Sequence, residues 1–209
     1  MANNKFEEQV EGFYNYLINE KSEHLRLFST LEIQIEGWFR GELMRYFEKN
    51  LEEKEIKLTT ENREVPISEG SRKKVDLKIP VDNMNYWIEL KHILVGYQKN
   101  DPYPMNFYFH KNTFIANDVD KLLKVDDPGK KNNLYSLIFI STNYLREDDK
   151  ASNMEEIRSE IDLKNQFTDM NNYSIIKDNI FPLSCWDYND ALHFGFLLLR
   201  VKNDMGKVS

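Results

Sequence analysis

Two periods run through the apolar positions of this chain, and the switches between them mark out its elements. Phe6, Val10, Phe13, Tyr14 and Leu17 recur at helical spacing and predict an amphipathic helix over 5–19. Ser22 or Ser29 is available to cap the next helix. Leu31, Ile35, Trp38, Phe39, Leu43, Tyr46 and Phe47 form one broad apolar arc and predict a helix from Thr30 to Glu53. The period then shortens, and extended segments are predicted over 56–67, 74–79 and 86–93. Glu69-Gly70-Ser71 separates the first two; Pro80 and Asp82-Asn83-Met84-Asn85 separate the last two. In the 74–79 segment Lys74, Asp76 and Lys78 share one face, with Val75, Leu77 and Ile79 on the other. In the 86–93 segment Glu89 and Lys91 share a side opposite Ile88 and Leu90.

Further along, residues 100–106 hold Pro102 and Pro104 and read as a loop. Ile115, Val119, Leu122 and Leu123 predict a helix over 113–125, followed by a turn over 126–133. Residues 134–140 are the most apolar strand, expected at the centre of the sheet. Strand, helix and strand in this order predict a crossover in a mixed α/β sheet. Residues 146–172 are polar, with a helix over 153–164, and read as an insertion, a flap or an interaction segment. A last strand is predicted over 193–201, before a frayed tail at 202–209.

Composition narrows the class. A chain of 209 residues is expected to form a single domain, with 1–29 as a helical lead-in. Thirteen Phe, eleven Tyr and three Trp predict an aromatic core. The formal charge of −7 counts against a general nucleic-acid coat protein, yet a local basic stripe or a metal site can still attract phosphate. With Cys185 alone there is no intrachain disulfide and no cysteine cluster for zinc. The start lacks an apolar signal region and no stretch approaches a membrane span, so a cytoplasmic protein without a membrane partner is expected. His24, His92, His110 and His193 show no metal-binding spacing, and His92 should face away from Lys91, packing in the core or at an edge. No Gly-x-Ser-x-Gly, no dinucleotide glycine pattern and no complete phosphate-binding loop around Gly129-Lys130 occurs.

The chemistry gathers on two adjacent predicted strands. Side by side they would present Asp76, Glu89 and Lys91 on one surface. Two close carboxylates repel, and a divalent cation relieves that repulsion; Mg²⁺ takes one or two carboxylates plus waters and phosphate oxygens. A neighbouring ammonium can hold the attacking water or stabilise charge developing on phosphate. Other Asp/Glu-x-Lys triplets, such as Glu55-Ile56-Lys57 and Asp162-Leu163-Lys164, lie in charged segments and read as surface ion pairs.

Asp76, then twelve residues, then Glu89-Leu90-Lys91 resembles the signature of the PD-(D/E)xK nuclease superfamily, with Val75 where proline usually precedes the aspartate. The resemblance covers about residues 30–140 and implies a restriction-endonuclease-like core, a mixed β-sheet flanked by helices. It implies Asp76 and Glu89 as ligands of Mg²⁺ (or Mn²⁺), the Leu90 carbonyl as a further ligand, and Lys91 as the catalytic lysine. A helix before the sheet often adds an acid in this family, and Glu36 and Glu42 both fit that place. As helix-surface residues, Glu36 would instead pair with Arg40 and Glu42 with Arg45. Arg72, Lys73, Lys74 and Lys78 form a basic stripe near the site, suited to nucleic-acid phosphates. Gln98 matches a polar position often found past the lysine. The expected activity is metal-dependent hydrolysis of nucleic-acid phosphodiesters, DNA before RNA, by an endonuclease or exonuclease acting alone, as a homodimer or with a partner subunit. The alternatives are a catalytically inactive nuclease-fold protein that binds nucleic acid or protein, or an unrelated α/β interaction protein in which Asp76 and Glu89 lie far apart.

Overall fold

The computed structural model describes residues 2–31, 33, 35–50, 58–81, 84–98, 101–102, 114–128, 131–143, 173–182 and 192–201. The first helical stripe forms α1 (Ala2–Glu20), which buries Phe13 and Leu17 completely. The helix predicted from Thr30 to Glu53 begins only at Glu36, as α3 (Glu36–Asn50), and a separate helix that the period does not predict, α2 (Ser22–Thr30), precedes it across a break. A tertiary bond explains the break. The Ile35 amide, which would continue the helix, donates to His92 Nδ1 at 3.4 Å, and the Ile33 amide closes back on the Phe28 carbonyl at 3.0 Å. Leu31, counted in the arc, is therefore left 56% exposed, while Phe39, Leu43 and Phe47 are fully buried. Glu36 consequently stands in the first turn of α3, where a carboxylate is favoured by the helix dipole.

The strands are β1 (Arg63–Pro66), β2 (Lys74–Val81), β3 (Met84–Gln98), β4 (Asp101–Pro102), β5 (Lys131–Asn143), β6 (Tyr173–Pro182) and β7 (Leu192–Val201). They lie in the order β1-β2-β3-β5-β7-β6, with β4 paired to the end of β3 inside the predicted loop. Among the described strands only β3 and β5 pair in parallel, and α4 (Phe114–Leu122) lies between them in the chain. The fold is thus α/β with a mixed sheet flanked by helices. Helices α1 and α3 cover one face, where Phe39 stacks on Phe139 at 4.0 Å between centroids. Helix α4 covers the other through Ile115, Val119 and Leu122. Burial on both faces is why 134–140 is apolar at every position but Ser136.

Boundaries moved where pairing decided them. β3 runs to Gln98 because its parallel ladder with β5 continues to Gly96↔Asn143. β1 begins only at Arg63, after a 3₁₀ turn over Thr60–Asn62 capped by Thr59. The period of the chain does not predict β6; a bulge between Ile175 and Lys177 breaks its period-2 pattern. The predicted insertion at 146–172, Cys185 and the tail at 202–209 fall outside the described residues. Among the described residues no helix is long and apolar enough to cross a membrane.

Candidate active site

The site begins where β2 and β3 part. Their antiparallel register runs from Val81↔Met84 to Leu77↔Ile88 and stops. One further step would set Asp76 against Glu89. Instead, the Leu90 amide donates to Asp76 Oδ2 at 2.9 Å and the Asp76 amide donates to Glu89 Oε2 at 3.3 Å. Two acid side chains thus substitute for backbone carbonyls. The twist that opens the ladder also corrects the expected faces of β2: Val75 packs in the α4-side cluster and Leu77 in the opposite one, although two residues apart should share a face. Beside them in β1, Glu64 adopts φ +48°, a left-handed conformation costing roughly 1–3 kcal/mol in a residue with a side chain. Its carboxylate lies 3.4 Å from Arg40.

Cations fill the gaps between the acids. Arg40 of α3 donates to Asp76 Oδ1 at 3.0 Å. Lys121 of α4 contacts Glu89 Oε1 directly and lies 3.9 Å from Asp118 Oδ1, one turn earlier on its own helix. Lys91 stands between Asp118 Oδ2 at 3.6 Å and Glu36 Oε1 at 3.3 Å. Glu36 Oε1 also accepts from the His92 amide at 3.1 Å, which ties the start of α3 to the strand carrying Glu89 and Lys91. The result is a zigzag of alternating charge, Glu89–Lys121–Asp118–Lys91–Glu36, with Asp76 and Arg40 beside it.

Burial sets the electrostatics. Glu89 is only 5% exposed; desolvation, reinforced by the neighbouring Asp76 charge, pushes its carboxyl up to about 8 despite Lys121. Asp118 is raised for the same leading reason, burial, against the pull of Lys91 and Lys121. Burial alone would lower the Lys91 ammonium, but Asp118 and Glu36 outweigh it and hold its pKa above the usual value. The site therefore holds more negative charge than its cations neutralise comfortably, the condition under which a further cation is welcome.

Asp76, Glu89, Lys91 and Glu36 are together; Glu42 is not. Its carboxylate accepts from Tyr16 at 2.8 Å and pairs with Lys21 at 3.6 Å, between α1 and α3. Lys78 is also diverted, held by Asp127 at 2.7 Å and lying 4.8 Å over the Trp87 ring. Arg72, Lys73 and Lys74 are exposed at the entry to β2, after a turn in which Gly70 takes φ +72°. The Gln98 side chain lies outside the described residues. Leu90 buries its side chain in the α1/α3 cluster, and its amide points toward β2, to Asp76. His92 faces away from Lys91, as expected: its ring meets Phe39, and Nε2 lies 2.9 Å from Ser141 Oγ.

No family model, curated protein or solved structure matches this chain. Its chemistry must be read from its own residues.

Three of those residues have no place in a reading of the site from sequence: Arg40, Asp118 and Lys121. Arg40, expected to pair with Glu36, instead bridges Glu64 and Asp76. For Asp118 a signal exists. It falls three residues after Ile115 and four before Leu122, on the buried stripe of a helix, where an acid is costly unless paired.

Proposed function

We propose that this chain is a metal-dependent nuclease with a restriction-endonuclease-like core, hydrolysing phosphodiester bonds of nucleic acid, DNA before RNA. One observation carries the reading: the β2–β3 ladder opens where Asp76 would face Glu89, and Asp76, Glu89, Lys91 and Glu36 gather at that breach.

The donor set fits Mg²⁺ or Mn²⁺. Asp76 and Glu89 offer hard oxygens, and the oxygens not engaged by backbone amides already attract positive charge from Arg40 and Lys121. Among the described residues no three Asp, Glu, His or Cys side chains form a complete ligand group. Mg²⁺ is commonly held by one or two carboxylates, with water and phosphate supplying the rest. Asp76 and Glu89 would hold the ion, joined by the Leu90 carbonyl. When bound, it supplies Lewis acidity and a more acidic water.

The chain's own residues do the rest. Lys91, braced by Glu36 and Asp118, holds an ammonium beside the carboxylates, placed to orient the attacking water and to stabilise charge on the phosphate oxygens. The water oxygen bonds to phosphorus as its proton leaves to solvent, the bond from phosphorus to the leaving sugar oxygen breaks, and that oxygen takes up a proton from solvent to leave as the free hydroxyl. Arg72, Lys73 and Lys74 at the exposed entry of β2 would meet backbone phosphates.

The test is Mn²⁺ calorimetry followed by cleavage of duplex DNA. Wild type should bind Mn²⁺ and cleave; a folded Asp76→Ala/Glu89→Ala variant should do neither, and Lys91→Ala should bind but not cleave. Full metal-dependent cleavage by the double variant would refute the reading.

A second reading is favoured by one observation: Arg40 and Lys121 already sit on Asp76 and Glu89. A nuclease-fold protein that binds without cleaving would keep such internal pairs permanently. Absence of Mn²⁺ binding by the folded wild type would favour that reading.

A further inference from the structure

Lys121 and Asp118 lie outside the Asp76, Glu89 and Lys91 set, yet they complete its electrostatics. Lys121 occupies the Glu89 oxygen that a metal ion would need. Its helical neighbour Asp118 is nearly buried, at 9% exposure, and among the described residues Asp118 Oδ2 makes no hydrogen bond, meeting Lys91 in a 3.6 Å ion pair. Asp118 Oδ1 lies 3.9 Å from the Lys121 ammonium, beyond a hydrogen bond but within reach of a small change along the flexible lysine stem. Residues three apart on a helix are neighbours, so the exchange needs no backbone movement.

We propose that Lys121 is a built-in competitor for the divalent cation: its ammonium holds Glu89 until the metal replaces it, and Asp118 then receives the ammonium and keeps it beside Lys91, facing the substrate phosphate. This rests on the nuclease reading and adds two residues to it, Lys121 as a phosphate-contacting cation and Asp118 as the positioning residue that receives it. Charge balance supports the exchange. A divalent cation at Glu89 and Asp76 repels a nearby ammonium, and Asp118 is the nearest carboxylate the displaced group meets. The site then keeps two ammonium groups, Lys91 and Lys121, for the charge that spreads over phosphate oxygens during hydrolysis.

The experiment is Mn²⁺ titration of the full chain by calorimetry in mildly alkaline buffer, where protons compete least, with duplex-DNA cleavage measured alongside. Four proteins are compared: wild type, Lys121→Gln, Asp118→Asn and the double variant, each first checked for folding by circular dichroism and thermal melting. Lys121→Gln should bind Mn²⁺ at least about fivefold more tightly than wild type and still cleave at least about tenfold more slowly. Asp118→Asn should bind it more weakly, because the displaced ammonium has lost its acceptor. The double variant should return to the tight binding of Lys121→Gln, since without the ammonium Asp118 has nothing to receive. A merely structural role for Lys121 would not tighten metal binding. Unchanged or weaker binding by Lys121→Gln, with wild type still binding and cleaving, overturns the proposal and leaves the nuclease reading standing. Absence of Mn²⁺ binding by all four folded proteins overturns both. Should Lys121→Gln melt too low to titrate, Lys121→Met removes the same charge with a similar stem and is read in the same way.

Discussion

At the scale of single residues the site is a balance of buried charge. Glu36 orients Lys91 and is tied to β3 through the His92 amide, whereas Glu42 belongs to a pair between helices α1 and α3. If the proposed nuclease reading holds, Glu36→Gln is expected to slow cleavage by about tenfold or more, while Glu42→Gln leaves it within about twofold, as parallel turnover measurements on one duplex would show. Asp76, Glu89 and Lys91 were legible because an apolar strand that carries charged residues on one side advertises them. The choice between Glu36 and Glu42 was not legible. Both acids sit at the margin of one apolar arc, and only the break before Glu36 separates their surroundings. The role of Lys121 is not legible for a different reason: a lysine near a helix end normally reads as a solvated side chain, and nothing local shows that Glu89 lies opposite.

At the scale of elements, irregularity concentrates around Asp76, Glu89 and Glu36. The β2–β3 ladder opens at Asp76, the β1 residue between the Leu77 and Val75 partners takes a left-handed φ, and the α2–α3 break delivers Glu36. The regular parts carry the stability. Phe39 stacks on Phe139 and lies 5.6 Å from both Phe194 and His92, so it joins α3 to three strands. Phe39→Ala should cost about 3–5 kcal/mol in urea unfolding, and a loss below about 1 kcal/mol would contradict this packing. The existence of α1, α3, α4 and of strands β2, β3, β5 and β7 was readable from period alone. The helix break was not, because the amide that ends the helix is taken by a histidine 57 residues away. β6 was hidden by its bulge, which inserts an extra residue between Ile175 and Lys177.

At the scale of the whole molecule the buried groups set a pH profile. Burial holds His92 down at about 4, against 6.5 when unfolded, so stability is retained above 6.5 and lost as pH falls toward 4. Glu89 acts in the opposite sense: its folded value near 8 lies above the unfolded 4.5, so its contribution is intact below 4.5 and lost as pH rises through 8. The melting temperature in chelator should therefore peak in mildly acidic buffer and fall toward pH 8. Added Mn²⁺ should flatten the alkaline fall, because the cation favours ionised Glu89. Glu89→Gln should remove that fall without metal and be more stable than wild type at pH 8, by an amount on the order of 1 kcal/mol, while losing metal binding. Scanning calorimetry across pH checks both; an alkaline fall that persists in Glu89→Gln would assign it elsewhere.

The sequence by itself determined the helices and strands with clean periods, the α/β class and the pairing of an acid on one strand with Glu89 and Lys91 on the next. Those features depend on residues near each other in the chain, whose spacing records which face is buried. Tertiary structure alone decided that the β2–β3 ladder opens at Asp76, that Glu36 rather than Glu42 reaches Lys91, and that Asp118, Lys121 and Arg40 complete the charge pattern. Each of those outcomes is a contact between groups far apart in sequence. Coulomb attraction and desolvation act on distance in space, which local spacing does not encode.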